Sequence, residues 1–328
     1  MSNRRIIRIS GSYDYGMSKK AEKKKTESNR RVIKDSQSNG EETCDKESFY
    51  YNLRNISENY KTPPIPEGYR YVEGHWKTGF IIERISDESR FTWIPVGFLD
   101  AYGTLDGKTF NQKFGRINFE DEKFSNDIFH EDLTDELMDQ RESIETYGGF
   151  YISTFDISKG ADGNPQSKQG KMPWVNVDFP TAKEIASSFE NSSMLKSHLP
   201  YGAEMDSMFS WFIKSGARTY HEVIENSTIM GNHYNSENSP HGVIETGSRE
   251  EWFTNGIADP TGNVNEWTQE QYGGMYRVLR GAFYYCYGYS FTAVNRGIVY
   301  SIDSCSCCAG FRIALYINSN CHCTYIEQ

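Results

Sequence analysis

Apolar and polar residues fall into three textures along this chain. Residues 1–62 are polar and charged, without sustained periodicity, and stretches such as KKAEKKKTESNRR predict a disordered tail. One short helix is expected there, around Phe49–Leu53. Pro63-Pro64-Ile65-Pro66 is a stiff boundary where a folded domain would begin. From Gly68 onward, YRYVEGHW, FIIERI and RFTWIPVGF read as short strands, with Ser86–Asp87 turning the chain between the last two. Residues 104–128 read as loop. A helix is expected over Asp132–Glu145 with Leu133, Leu137 and Met138 on its inner face. Gly148–Ile157 then reads as a strand and Lys159–Lys171 as a surface loop.

Two further helices carry stronger signals. Thr181 and Glu184 have capping-box spacing, ahead of an apolar face of Ile185, Ala186 and Phe189. A second helix runs from about Ala203 to Lys214, with Met205, Met208, Phe209 and Phe212 inward and Gly216 as its stop. Such a Met/Phe stripe is core. HEVIENS, STIMGNHY and HGVIETG read as loops and short strands. The pattern predicts one α+β domain over 63–318, with short antiparallel strands, two main helices, long loops and no internal repeat, and a C-terminal tail over 319–328.

The third texture is Tyr276–Ile317, YRVLRGAFYYCYGYSFTAVNRGIVYSIDSCSCCAGFRIALYI. Its ends are strand-like and its middle is rich in Tyr, Ser, Cys and Gly. From Gly281 to Ile326 there is no Lys, Glu, Gln, Met or Trp. A sample of this length with the composition of the preceding chain would hold about ten. Tyr284, Tyr285, Tyr287, Tyr289 and Tyr300 offer stiff contact area, and Ser and Gly offer adaptable hydrogen bonding, as in antibody paratopes. A small-residue loop that lacks long side chains for packing reasons is the plainer reading.

Charge narrows the partners. Residues 1–34 hold eleven Lys/Arg against Asp14, Glu22 and Glu27, a net of +8; the whole chain is −10, so the remainder carries −18. An acidic body argues against nucleic-acid binding by the folded domain. No run is long and apolar enough for a membrane span, and the start has no apolar secretory core. The expected location is therefore cytoplasmic by default, with a phage particle or export without a signal as the alternative. Six of seven Cys lie in the last 43 residues, but Cys305–Ser306–Cys307–Cys308 and Cys321–His322–Cys323 lack zinc-site spacing. No H-E-x-x-H, G-x-S-x-G, Walker or Rossmann pattern is present.

Four phrases in order, LPYGAEMDSMFSWF (199–212), DPTGNVNEWT (259–268), RVLRG (277–281) and GFRIAL (310–315), resemble the formylglycine-generating enzyme (sulfatase-modifying factor) family over roughly residues 66–317. The resemblance implies a variant of the C-type lectin fold. It also implies two functional readings. Enzymes of the family oxidise a sulfatase Cys to formylglycine with O₂ and a copper ion on two thiolates, a ligand set that suits Cu(I). Cys286 matches the first thiolate; Phe291 stands where the second belongs, and Gly281–Ala282–Phe283 replaces the usual Gly-Gly-Ser. Related domains instead serve as variable proteins of diversity-generating retroelements, often in phage or prophage. There, adenine-directed mutagenesis near the 3′ end of the gene rewrites AAC codons into codons that never encode Lys, Glu, Gln, Met or Trp. Those are the five missing types.

On the variable-protein reading the segment 282–309 is a ligand-binding surface, non-catalytic, facing a protein or other macromolecule on a cell surface. Its candidate contacts are Phe283, Tyr284, Tyr285, Cys286, Tyr287, Tyr289, Phe291, Asn295, Tyr300, Asp303, Cys305 and Cys307. The oxidase, with Cys286 catalytic, is the alternative. The resemblance further implies a structural Ca²⁺, with carboxylates from Asp259 and Glu266 and carbonyls from Gly262 and Val264, hard oxygens of the kind this ion takes. Asn265 stands where the family usually has Trp, and the Glu-Pro-Asn of sugar-binding lectins is absent.

Overall fold

The computed structural model describes residues 62–98, 104–105, 108–109, 111–112, 114–119, 123–124, 129–318, 321 and 323–326. The expected tail (apart from Thr62), the helix around Phe49–Leu53 and Cys44 lie outside these residues. Among the described residues two larger sheets and three α-helices make the frame of the fold. Strands β1 (Tyr69–Glu73), β2 (Ile81–Arg84) and β3 (Arg90–Pro95) form an antiparallel meander. Its turn is closed by Arg84 and Asp87: the guanidinium donates to both carboxylate oxygens at 2.7 and 2.8 Å, and the Ser89 hydroxyl donates to the same carboxylate.

Among the described residues three short strand pairs follow before Phe129: Gly97–Phe98 with Asn111–Gln112, and, where loop was expected, Thr104–Leu105 with Lys108–Thr109 and Ile117–Asn118 with Lys123–Phe124. β4 (Phe129–His130) precedes helix α1 (Asp135–Tyr147). α1 begins three residues later than the pattern suggests, because Thr134 caps it: its side-chain oxygen accepts from the Leu137 N–H at 3.2 Å. Of the expected inner face only Leu137 is buried. Leu133 precedes the helix and is exposed, as is Met138; Gln140, Arg141 and Ile144 are buried instead.

β5 (Gly149–Ser153), shorter than expected, pairs with β3, Tyr151 opposite Trp93. Helix α2 (Phe179–Phe189) corrects the predicted capping box. Asp178 is the cap, accepting from the Thr181 N–H at 3.0 Å, and Thr181 lies inside the first turn beside Pro180. Ala186 and Phe189 are buried and Ile185 half-buried. β6 (Leu195–His198) leads into α3 (Gly202–Lys214). Met205, Met208, Phe209 and Phe212 are fully buried as expected, and Gly216 closes the helix at φ +76°. Yet every residue from Gly202 to Phe212 is buried, so the polar side of α3 is inside the protein as well.

The remaining strands of the two larger sheets are β7 (Asn265–Tyr272), β8 (Tyr276–Arg280), β9 (Ile298–Ser301), β10 (Ala309–Gly310) and β11 (Ala314–Ile317). The first sheet has the order β1-β2-β3-β5-β11-β6. The second has the order β4-β7-β8-β9, with β10 parallel to β7. The α+β class and the antiparallel strands are as the sequence predicts. β11, near the end of the chain, is a central strand of the first sheet, and the 321–326 segment returns to the start of the domain: Ile65 and Thr324 exchange both backbone hydrogen bonds, at 2.9 and 3.0 Å. Trp93, Tyr151, Phe150, Trp211 and Trp267 fill the interior. No helix of the described residues is long and apolar enough to cross a membrane.

Candidate ligand-binding face

The Tyr-rich segment leaves β8 at Arg280 and rejoins the sheets at β10. Its first residues are gripped by the DPTG turn: the Gly262 N–H and the Thr261 hydroxyl both donate to the Gly281 carbonyl. From there exposure alternates. Tyr285, Tyr287 and Tyr289 are exposed, while Cys286 and Gly288 between them are buried. Gly288 is a glycine because of a close approach: a Cβ would stand 2.4 Å from the Thr228 backbone nitrogen.

The tyrosines form one cluster together with a residue from outside the segment. Tyr234 stands 5.6 Å from Tyr285 and 5.0 Å from Tyr287 between ring centroids, and Tyr287 stands 5.3 Å from Tyr289. Tyr284 joins edge-on to Tyr285 at 6.5 Å and to Phe283 at 5.8 Å. His241 packs on Tyr234 at 4.7 Å. Tilted and edge-on rings at these separations are favourable aromatic contacts. Tyr234 and His241 were not among the expected contacts. The signal was an aromatic residue inside an otherwise polar run, Gly231-Asn-His-Tyr-Asn-Ser236.

Other expected contacts divide. Phe283 and Tyr284 are half-buried, and Asp303, Cys305 and Cys307 are exposed. Tyr300 belongs to the scaffold instead: it lies in β9, half-buried, edge-on to Trp267 at 6.0 Å. The segment is therefore not one continuous loop. Ile298–Ser301 pairs along β8, with Val278 opposite Val299. Asn295 turns inward on its own backbone, its Oδ1 accepting from the Gly297 N–H at 2.7 Å. Phe291 is half-buried, and its N–H donates to the Tyr287 carbonyl at 3.0 Å.

Cys286, the candidate copper thiol, is 6% exposed, and burial pushes its pKa up to about 11. Cys308, which sequence distance sets apart, adds to that rise, and burial first holds Cys308 itself at about 11. Cys308 shares hydrogen bonds with Cys307, 3.5 Å away between sulfurs, and with Tyr284. Burial thus raises the pKa of both Cys286 and Cys308, and Phe291 puts no thiol at the position of the second family cysteine, so the bis-thiolate pair is incomplete at these two positions.

The two carboxylates expected to hold Ca²⁺, Asp259 and Glu266, have partners within the chain. Glu266 Oε1 accepts from the Arg312 Nε at 2.6 Å, and the same guanidinium lies 3.3 Å from Asp156 Oδ1 and donates to the Ala258 and Asp259 carbonyls. Asp259 Oδ2 is taken by the Thr246 hydroxyl and the Gly247 N–H. The cation facing these carboxylates is an arginine of the chain itself. One arginine against three acids leaves carboxylates under strain: burial raises all three pKa values, that of Asp259 to about 6.

A second buried ionic cluster underlies the face. Arg296, in the middle of the segment, reaches inward. Its Nε donates to Glu270 Oε1 at 2.7 Å and its Nη2 to Asp206 Oδ2. Arg280 donates to Asp206 Oδ1 at 2.7 Å, and Arg116 to Glu270 Oε1 at 3.1 Å. The two arginines hold the Asp206 carboxyl below its usual range despite burial. Glu131 lies beside this cluster, with one oxygen accepting from the Ala203 N–H and the other unpartnered. Burial, then Glu270, push its pKa to about 8.

No protein-family model matches the chain, and no curated protein does. Solved structures similar to it include the following three. CarF is 15% identical over 52% of this chain and 87% of that one, with a TM-score of 0.37. Variable protein 1 of Treponema denticola is 16% identical over 75% and 98%, with a TM-score of 0.38. PvdO from Pseudomonas aeruginosa is 14% identical over 73% and 98%, with a TM-score of 0.44.

Proposed function

We propose that this chain is a non-catalytic binding protein that displays a diversified, tyrosine-rich face on a scaffold like the formylglycine-generating enzymes, in the manner of retroelement variable proteins. The observation that carries the reading is the alternation Tyr285, Tyr287, Tyr289 outward and Cys286, Gly288 inward, in the stretch that lacks Lys, Glu, Gln, Met and Trp. Outward positions can change identity at little cost to the fold, and tyrosine presents large contact area with few rotatable bonds. The partner is a macromolecule on a cell surface, and display on a phage particle would place the face where it meets one. Phe291 in place of a second thiol beside the buried Cys286 speaks for binding rather than copper-dependent oxidation.

The DNA beside the gene tests the diversification. A reverse transcriptase gene and a near-copy of the 3′ end that differs only at adenines are the expected finding. A flank lacking both would sink the retroelement reading.

A further inference from the structure

We infer that the binding face has a constant half, made by Tyr234 and His241, which contributes affinity whatever side chains the segment carries and which suits a basic protein partner. The inference rests on the binding role proposed above. Tyr234 is 37% exposed, its ring held among His241, Tyr285 and Tyr287. Its backbone is tied down without the segment's side chains. The Tyr234 N–H donates to the Cys286 carbonyl at 2.9 Å, the Gly288 N–H to Asn235 Oδ1 at 3.1 Å, and the Ser227 N–H to the Gly288 carbonyl at 3.0 Å.

The loop that carries Tyr234 and His241 is also tied to itself. Ser236 Oγ bonds the Thr228 and Gly231 carbonyls, at 2.6 and 2.7 Å, and accepts from the His233 N–H. Asn232 donates to the Gly242 carbonyl and accepts from the Ser239 hydroxyl, both at 2.8 Å. Substituting Tyr285, Tyr287 or Tyr289 removes none of these bonds. The loop therefore keeps Tyr234 and His241 at the face while the neighbouring side chains change, its backbone already ordered before a ligand arrives.

The partner's chemistry follows from charge and from the rings. Residues 35–328 carry −18, which draws basic proteins at long range and repels nucleic acid. At contact, tyrosine faces attract guanidinium and ammonium groups, and their hydroxyls accept hydrogen bonds from them.

The test is a library of the full chain randomised at positions 284, 285, 287 and 289 and selected against lysozyme, a small basic protein. Tyr234→Ala is then made in several unrelated selected binders. We expect about tenfold weaker binding in most of them, with Tyr234→Phe recovering most of the loss and the melting temperature unchanged. Binders that keep their affinity within about twofold on Tyr234→Ala would overturn the constant half while leaving the binding role intact. A library that yields no binder overturns both. A parallel selection against an acidic protein of similar size should yield fewer binders, and an equal yield would overturn the partner's charge.

Discussion

Residues 285–296 present two sets of side chains that differ in everything but sequence position. Outward stand Tyr285, Tyr287 and Tyr289, touching each other and Tyr234. Inward stand Cys286, Ala293 and Arg296, and Arg296 plugs the cluster of Asp206, Glu270 and Arg280. The outer set touches other rings of the same exposed face. The inner set has partners that cannot be rehydrated. The lesson is that a stretch of uniform composition can serve variation and stability at once, if alternation sends one set to solvent and the other to buried charges.

Substitutions should separate the two sets, most strongly at Arg296. Arg296→Ala leaves Asp206 and Glu270 short of a cation in the interior, a loss of about 3–5 kcal/mol that denaturant unfolding would register. A cost under 1 kcal/mol would mean that the cluster is wet and Arg296 is not an anchor.

The same cluster should give stability a pH slope. Glu131 has its pKa raised to about 8 in the folded state against an ordinary 4.5. Between those values the folded protein holds a proton that the unfolded chain has released, so stability is full below about pH 4.5 and falls as pH rises through 8. Glu131→Gln should flatten the decline of melting temperature between pH 5 and 8. Parallel curves for the two proteins would remove Glu131 as its source.

The smallest effects belong to the outer set. Tyr285→Ala and Tyr289→Ala should each change stability by no more than about 0.5 kcal/mol. A loss of about 2 kcal/mol at either would show that the face is part of the core, contrary to the exposures of 63% and 56%.

The contrast between what was legible and what was not follows the same line. The meander of β1 to β3, the stripe of α3 and the strands flanking the segment announce themselves through local apolar pattern. The start of α2 does not, because Asp178 and Thr181 both suit a cap and Pro180 favours the first turn over a position further in. Leu133 and Met138 match helical spacing yet face solvent, because the helix starts after Leu133 and turns Gln140 and Arg141 toward the core. Strand β9 hides inside a Tyr- and Ser-rich run, where pairing along β8 decides structure more than composition does.

By itself the sequence determined the α+β class, the position of the Tyr-rich segment between two strands, and the residue types missing from it. Those depend on local periodicity and composition, which act over a few residues. Only the tertiary structure decided that Arg296 reaches Asp206, ninety positions away in the chain, that Arg312 answers Glu266, and that Tyr234 and His241 complete the face. Burial makes each of those charge partners necessary, and burial is a property of the packed molecule that no local stretch of sequence contains.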